Sequence, residues 1–289
     1  MPTQPPFPRL FLGLIGAGIL ASRTPAMHIA EAAAHGLQCH YQLIDLDQLG
    51  LLPEDLPSLL EFAEFAHFAG LNITHPCKQS ILPLLTEISP HASAIGAVNT
   101  VLLGPGHRSG HNTDWLGFRQ ALLHGLPDAP VNHIVQLGAG GAGAATAYAL
   151  LHLGTSHLTI HDTDPARAAA LVARYQPLFP ASRIAVARDL AQCLASADGL
   201  VHATPTGMAS HPGLPLPASL LRPSLWVAEI VYFPLETELL RTARALGCPT
   251  LDGSLMAIHQ AVEAFRLFTG LEPDPARMAA TFLSLSPTP

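Results

Sequence analysis

The chain is poor in charge. Asp, Glu, Lys and Arg make up 12% of its 289 residues, against 49% hydrophobic types. That balance excludes wholesale disorder and supplies enough apolar side chains for a sizeable core. Lys and Arg total 14 against 21 Asp and Glu, a net charge of −7 with His neutral, and no basic block occurs. An extended nucleic-acid or anionic-membrane surface is therefore excluded, and any anionic ligand must be met by local donors. Cysteine is also scarce. Cys39, Cys77, Cys193 and Cys248 form no disulfide framework, and none sits within metal-ligand spacing of another, which fits a reducing, cytoplasmic setting. Long apolar runs are missing as well. Leu10–Ala21 is too short to cross a bilayer and carries only Arg9 before it, so it reads as a buried strand entering a glycine-rich turn. The 16 His are scattered; His107 and His111 form an H-x3-H pair in a glycine-rich loop with no third ligand in view, and no metal is expected.

What is present is alternation. Leu10–Ile15, His40–Ile44, Gly70–Ile73 and Ala97–Leu103 read as strands, with helices over Pro25–His35, Pro57–Ala69, Lys78–Leu85 and Asp114–Leu126. After the turn cluster Pro127-Asp128-Ala129-Pro130 the series resumes: strands His133–Leu137, His157–His161, Gly199–Ala203 and Leu225–Val231, helices Ala142–Leu153, Pro165–Tyr175 and Leu255–Thr269, then a Pro-rich tail. Two α/β units with parallel sheet pairing are predicted, at about 150 residues per domain, the second starting near residue 115. The ends, Met1–Pro8 and Ser286–Pro289, are expected to fray.

Gly138-Ala139-Gly140-Gly141-Ala142-Gly143 fits G-x-G-x-x-G between a strand and a helix. Gly138 permits the tight turn, Gly140 lets a pyrophosphate approach the backbone, and Gly143 lets the helix pack on the strand. Main-chain N–H groups of Gly141 and Ala142 and the helix dipole would hold the anion. Asp162 follows the next strand, 19 residues beyond Gly143, where a carboxylate accepts hydrogen bonds from a ribose diol and repels a 2′-phosphate. Asp164 adds negative charge, and the nearest downstream cation is Arg167 on the following helix. NAD is expected in preference to NADP. Gly16-Ala17-Gly18-Ile19-Leu20-Ala21 also fits the pattern, but Thr24 as N-cap and Pro25 at N1 start the helix only after it. Ser22 and Thr24 present hydroxyls there, which suit a small carboxylate better than a pyrophosphate.

The remaining chemistry gathers at strand ends. Lys78 follows the polar turn Asn72-Ile73-Thr74-His75-Pro76-Cys77, Asn99 lies on a predicted strand, and Asp114 begins a helix. An alcohol that loses hydride needs a group to take its hydroxyl proton, and a Lys oriented by an Asp can do so.

Gly70-Leu71-Asn72-Ile73-Thr74-x-Pro76-x-Lys78, Ile95-Gly96-Ala97-Val98-Asn99-Thr100 and Gly110-x-Asn112-Thr113-Asp114-x-x-Gly117-Phe118 resemble signatures of the shikimate dehydrogenases. So do Ala203-Thr204-x-x-Gly207-Met208, Val231-Tyr232-x-Pro234-x-x-Thr237 and Asp252-Gly253-x-x-Met256-x-x-His259-Gln260. The resemblance runs from about Leu12 to Gly270. It implies reversible conversion of shikimate and 3-dehydroshikimate with a nicotinamide cofactor. It implies Lys78 as catalytic lysine and Asp114 as its partner. Ser22 and Thr24 would hold the substrate carboxylate, and Thr74, Asn99 and Gln260 its ring hydroxyls, with Tyr232 nearby. Thr204 and Gly253 would join the glycine motif on the cofactor side. The implied fold is an α/β protein of two domains with a cleft between them. A substrate domain, 1–114, is completed by C-terminal helices over 255–289, and a Rossmann-type, doubly wound domain covers 115–254. A small-molecule substrate is implied, with no nucleic-acid or membrane partner, in a monomer or homodimer.

Three departures refine this. Ser22-Arg23-Thr24-Pro25 has Thr where biosynthetic members carry Ser, as in the quinate/shikimate dehydrogenases and their aminoshikimate relatives. Asp162-Thr163-Asp164 replaces the Asn-Arg-Thr of NADP users. Glu229 and Phe233 stand where Asp and Asn are usual. An NAD-preferring quinate/shikimate dehydrogenase is the leading expectation. Its rivals are an NADP-using biosynthetic enzyme, an aminoshikimate or aminoquinate dehydrogenase, and, in a different class, a non-catalytic NAD-binding sensor.

Overall fold

A computed structural model describes residues 9–180 and 183–285, so both terminal segments expected to fray lie outside the described residues. The chain divides into two units. One comprises residues up to Thr113 and from Gln260 onward; the other is Asp114–His259.

The first unit carries β1 (Arg9–Gly16), α1 (Thr24–Ala34), β2 (Gln38–Asp45), α2 (Leu46–Leu49), α3 (Leu56–Phe65), β3 (Gly70–Ile73), α4 (Cys77–Ser80), β4 (Glu87–Ile88), α5 (Pro90–Ile95), β5 (Thr100–Gly104) and β6 (His107–His111). Its six-stranded sheet has the order β2-β1-β3-β5-β6-β4. The expected parallel pairing holds for β2-β1-β3 and β4-β6, whereas β5 runs antiparallel to both β3 and β6. A short turn, not a helix, joins β5 to β6, and a short turn can only reverse a strand. His107 and His111 therefore lie on a strand rather than in a loop. The helix expected over Lys78–Leu85 is one turn, Cys77–Ser80, followed by a 3-10 turn at Leu82–Leu84. Pro83 has no N–H to continue it. Leu56, Leu60 and Ala63 of α3 recur at helical spacing and are fully buried with Ile15, Leu71 and Ile73.

The second unit carries α6 (Asp114–Gly125), β7 (His133–Leu137), α7 (Gly141–His152), β8 (His157–His161), α8 (Pro165–Tyr175), β9 (Ile184–Val186), α9 (Leu190–Ala195), β10 (Gly199–His202), β11 (Trp226–Glu229), α10 (Glu238–Ala245) and β12 (Thr250–Leu251). Its six strands have the order β12-β11-β10-β7-β8-β9, and every pairing is parallel. The chain moves outward from β7 to β9, then returns to β10 on the other side of β7. That reversal is the switch point at which open α/β sheets bind ligands. α11 (Ser254–Thr269) runs across the second boundary between units.

The Pro-rich tail contains a helix, α12 (Pro275–Ser284), capped by Asp274, whose carboxylate accepts the Ala276 and Arg277 N–H groups. α12 is tied to α1 through buried Glu31, which accepts a bidentate pair from Arg277 at 2.7 and 2.8 Å and the Asp274 N–H at 2.8 Å. No helix among the described residues is long and apolar enough to cross a membrane.

His28 lies one turn before Glu31, fully buried against Tyr41, Phe265 and Phe268, with no hydrogen-bond partner among the described residues for either ring nitrogen. Burial drives its imidazole down to about 3, against a weaker upward pull from Glu31. The unfolded chain binds this proton at an ordinary 6.5. Stability from this group is therefore full above that value and falls as the pH drops through the window between the two. The fall amounts to about 2–3 kcal/mol from pH 7 to pH 4.5. In His28→Leu that share of the acid loss is expected to vanish, read as urea midpoints at the two pH values; an unchanged loss would contradict it.

Candidate active site

In the first unit the candidate groups cluster at the C-terminal ends of β1 and β3. The Thr74 N–H donates to the Ile15 carbonyl, and the Ala17 N–H to the His75 carbonyl, both at 2.9 Å. The two turns bearing Ser22-Thr24 and Thr74-Lys78 are thereby bonded together. Thr24 is the first helical residue and Arg23 the N-cap, one position earlier than the expected cap. The Ser22 hydroxyl instead accepts the Thr24 N–H at 3.3 Å. The Arg23 guanidinium lies over the Phe282 ring and donates to the Phe282 carbonyl at 3.0 Å, so α12 holds this turn.

The second glycine pattern, at Gly16–Ala21, has two of its main-chain donors already taken. The carboxylate of buried Asp45, at the end of β2, accepts the Gly18 N–H at 3.1 Å and the Ile19 N–H at 2.8 Å. The loop carries its own anion.

A bonded path runs from the Lys78 main chain to Thr113, the residue before Asp114. The Lys78 carbonyl accepts the Val98 N–H at 2.8 Å. The next residue, buried Asn99, donates to the Thr113 hydroxyl at 2.9 Å and accepts the Thr113 N–H at 2.7 Å. Asp114 follows Thr113 in the chain, opens α6 and is buried. Asn99 lies just before β5 rather than on it, although its main chain still bonds Ile73 and His111 at the ends of the neighbouring strands. Cys77, next to Lys78, is buried, and burial, with Glu54 second, pushes its thiol up to about 11. It is an inert anchor for the turn. Gln260 lies on α11, in its middle turns.

In the second unit the glycine motif has the expected geometry. Gly138 has φ +100°, and a Cβ there would stand 2.4 Å from the Ala203 carbonyl oxygen. A Cβ on Gly143 would stand 2.3 Å from the Gly138 carbonyl oxygen. Gly143→Ala is expected to cost about 1–3 kcal/mol, since the clash is with backbone that cannot turn away; an unfolding midpoint equal to wild type would contradict this. Gln136, a polar residue inside an apolar strand, donates to the Gly138 and Gly143 carbonyls at 2.9 and 2.8 Å and fixes the turn. α7 begins at Gly141, one residue before its expected start, and its N-cap Gly140 makes no side-chain capping bond. Among the described residues, chain neighbours aside, nothing lies within 4 Å of where a Gly140 side chain would start. Space and main-chain donors at this helix N-terminus fit a dinucleotide pyrophosphate.

Asp162 reaches back to this turn. Its carboxylate accepts the Ala139 N–H at 2.7 Å and the Asp164 N–H at 2.9 Å. Two oxygens with about four lone pairs leave acceptor capacity for a diol. Asp164 caps α8 through Ala166 N–H and lies 3.6 Å from Arg167, so its charge is partly balanced. Thr204 follows β10, and a Gly138 Cβ would stand 3.0 Å from its methyl. A Cβ on Gly253 would stand 2.6 and 2.7 Å from the Ile230 and Val231 carbonyl oxygens, which precede Tyr232 in the chain.

Sequence reasoning missed Asp45, Gln136 and the buried His202–Glu229 pair. Gln136 and His202 carried a signal, each being a polar residue in an otherwise apolar strand. It also passed over a plain count: Lys78 is the only lysine in the chain. Among the described residues no group of three or more His, Cys, Asp or Glu could hold a metal ion.

Residues 14–101 match the shikimate dehydrogenase substrate binding domain, and residues 253–281 match the shikimate 5′-dehydrogenase C-terminal domain. The chain is 57% identical over 279 residues to a shikimate dehydrogenase (NADP(+)) of Streptomyces avermitilis, covering 96% of each. It is 53% identical over 281 residues to a quinate/shikimate dehydrogenase (NAD(+)) of Corynebacterium efficiens, covering 96% of this chain and 98% of that one. Quinate dehydrogenase from Corynebacterium glutamicum, solved in complex with NAD, matches with a TM-score of 0.88 at 50% identity over 96% of this chain and 99% of that one. With identity of this extent over 96% of its length, the chain belongs to the shikimate dehydrogenase family.

Proposed function

We propose that the protein is an NAD-preferring oxidoreductase that interconverts shikimate with 3-dehydroshikimate and quinate with 3-dehydroquinate. The observation that supports it most is the bonded path from the Lys78 carbonyl through Val98-Asn99 to Thr113, which Asp114 follows. A bound nicotinamide dinucleotide supplies the hydride acceptor and, in reverse, the donor. Lys78 takes the proton of the ring hydroxyl as the carbonyl forms, and returns it to the developing alkoxide in reverse. Asp114 orients the ammonium and hydrogen-bonds the substrate. The Ser22 and Thr24 hydroxyls hold the substrate carboxylate, in keeping with a chain that has few cations to offer an anion. Thr74, Asn99 and Gln260 take ring hydroxyls, and Tyr232 lies beside the ring.

On the cofactor side, Gly138, Gly140, Gly141, Ala142 and Gly143 hold the pyrophosphate, and Thr204 and Gly253 complete the site. Asp162 takes the ribose diol and, with Asp164, disfavours a 2′-phosphate. A second reading, an NADP-using shikimate dehydrogenase, has one observation in its favour: the 57%-identical Streptomyces relative is named for NADP(+).

The test mixes purified protein with shikimate and NAD. One 3-dehydroshikimate per reduced dinucleotide is expected. Binding of both ligands without turnover would contradict an enzyme and favour a sensor.

A further inference from the structure

The C-terminal ends of β10 and β11 carry a buried polar chain that the proposed chemistry does not use. His202 and Glu229 end their strands, face each other in register, and are shut off from solvent. His202 Nδ1 lies 2.9 Å from both Glu229 oxygens. On the far side of the ring, Nε2 lies 2.5 Å from the Thr204 hydroxyl. Glu229 also accepts the Val231 N–H at 3.0 Å and the Thr237 hydroxyl at 3.1 Å. Thr237 in turn caps α10 by accepting the Leu240 N–H.

The hydrogen count gives this chain a direction. A carboxylate only accepts, so Nδ1 carries a hydrogen, and with the ring neutral it is the only one. Nε2 is then an acceptor, and the Thr204 hydroxyl hydrogen is spent on it. Thr204 also accepts the Thr206 N–H at 3.3 Å. Its hydroxyl therefore has one lone pair left and no hydrogen to give. Thr204 stands beside the Gly138 turn, across the switch point between β7 and β10.

We propose that His202 and Glu229 are positioning residues for the dinucleotide. Glu229 fixes the ring, and the ring fixes the Thr204 hydroxyl as an acceptor for a hydroxyl of the cofactor. The inference rests on the reading that this glycine turn holds a dinucleotide.

The test is calorimetric titration of the full chain with NAD and, separately, with shikimate, so it needs no turnover. The proteins are wild type, His202→Leu, Thr204→Val and the double variant. Each single change is expected to weaken NAD about tenfold, the worth of one such hydrogen bond. The double is expected to be no weaker than either single, because both remove the same contact. The shikimate Kd is expected to stay put. His202→Leu strands the Glu229 carboxylate, so His202→Leu/Glu229→Gln is run beside it and replaces it in the cycle if the single variant does not fold. Additive losses, equal losses for NAD and shikimate, or an unchanged NAD Kd in Thr204→Val would each overturn the proposal. If wild type itself fails to bind NAD, the dinucleotide reading has failed and takes this one with it; additive losses in a protein that binds NAD sink the relay alone.

Discussion

Substituting alanine for Lys78 is expected to lower kcat on shikimate and quinate by about two to four decades, the usual share of a positioned acid–base group. The unfolding midpoint is expected to move little. Lys78 is only partly buried, its turn is anchored by the fully buried Cys77, and the bond from Val98 goes to its carbonyl rather than its side chain. KM for both acids is expected to change less than kcat, because the Ser22, Thr24 and Thr74 hydroxyls remain. An independent check follows from composition. As the chain's only lysine, Lys78 shares the reach of an amine-directed reagent with the α-amine alone. Loss of activity is expected to track modification of the Lys78 peptide, and shikimate with NAD is expected to slow both. Full turnover after complete modification of Lys78, or an intact kcat in Lys78→Ala, would contradict its role.

Recasting Asp162-Thr163-Asp164 as Asn-Arg-Thr is expected to shift the NADP:NAD ratio of kcat/KM by about two to four decades toward NADP. The change removes carboxylate repulsion at the 2′-position and adds a guanidinium that can fork onto a phosphate, with charged hydrogen bonds worth about 1.5–3 kcal/mol each. The local structure is expected to survive it. The amide oxygen of Asn can still accept the Ala139 N–H that Asp162 accepts at 2.7 Å. Thr can still cap α8 in place of Asp164. Steady-state kinetics with both dinucleotides on the triple variant check this. A ratio that stays where wild type has it would mean that the cofactor is selected elsewhere.

The second unit was legible because each of its rules is local. An apolar strand, three spaced glycines and an acid after the next strand together specify one turn, and the structure places a positive φ at Gly138 and a close approach at Gly143. α8 begins at Pro165 and ends at Tyr175 as expected, with Asp164 capping it. The first unit was less legible because its deciding contacts are distant in sequence. β5 and β6 reverse direction in a segment whose glycines and histidines looked like a loop. Asp45 fills the glycine turn at Gly18 from across β1 and β2. Arg23, between two candidate site residues, is held by Phe282, 259 residues away. No periodicity in a single strand or helix announces such a pairing. His202 was visible as an unusual residue type in an apolar strand and Glu229 as a departure from the family pattern, but that they pair depends on the register of β10 with β11. The candidate residues themselves were readable from motif order, and the hydrogen bonds that tie their turns together were not.

The measurement that tests the account most directly is a set of initial rates crossing shikimate and quinate with NAD and NADP, compared as kcat/KM. Turnover of both acids with a strong preference for NAD is the predicted result, and it would support the readings of Thr24 and of Asp162 with Asp164 together. Turnover of shikimate alone, with NADP preferred, would contradict both and make the protein a biosynthetic member of its family.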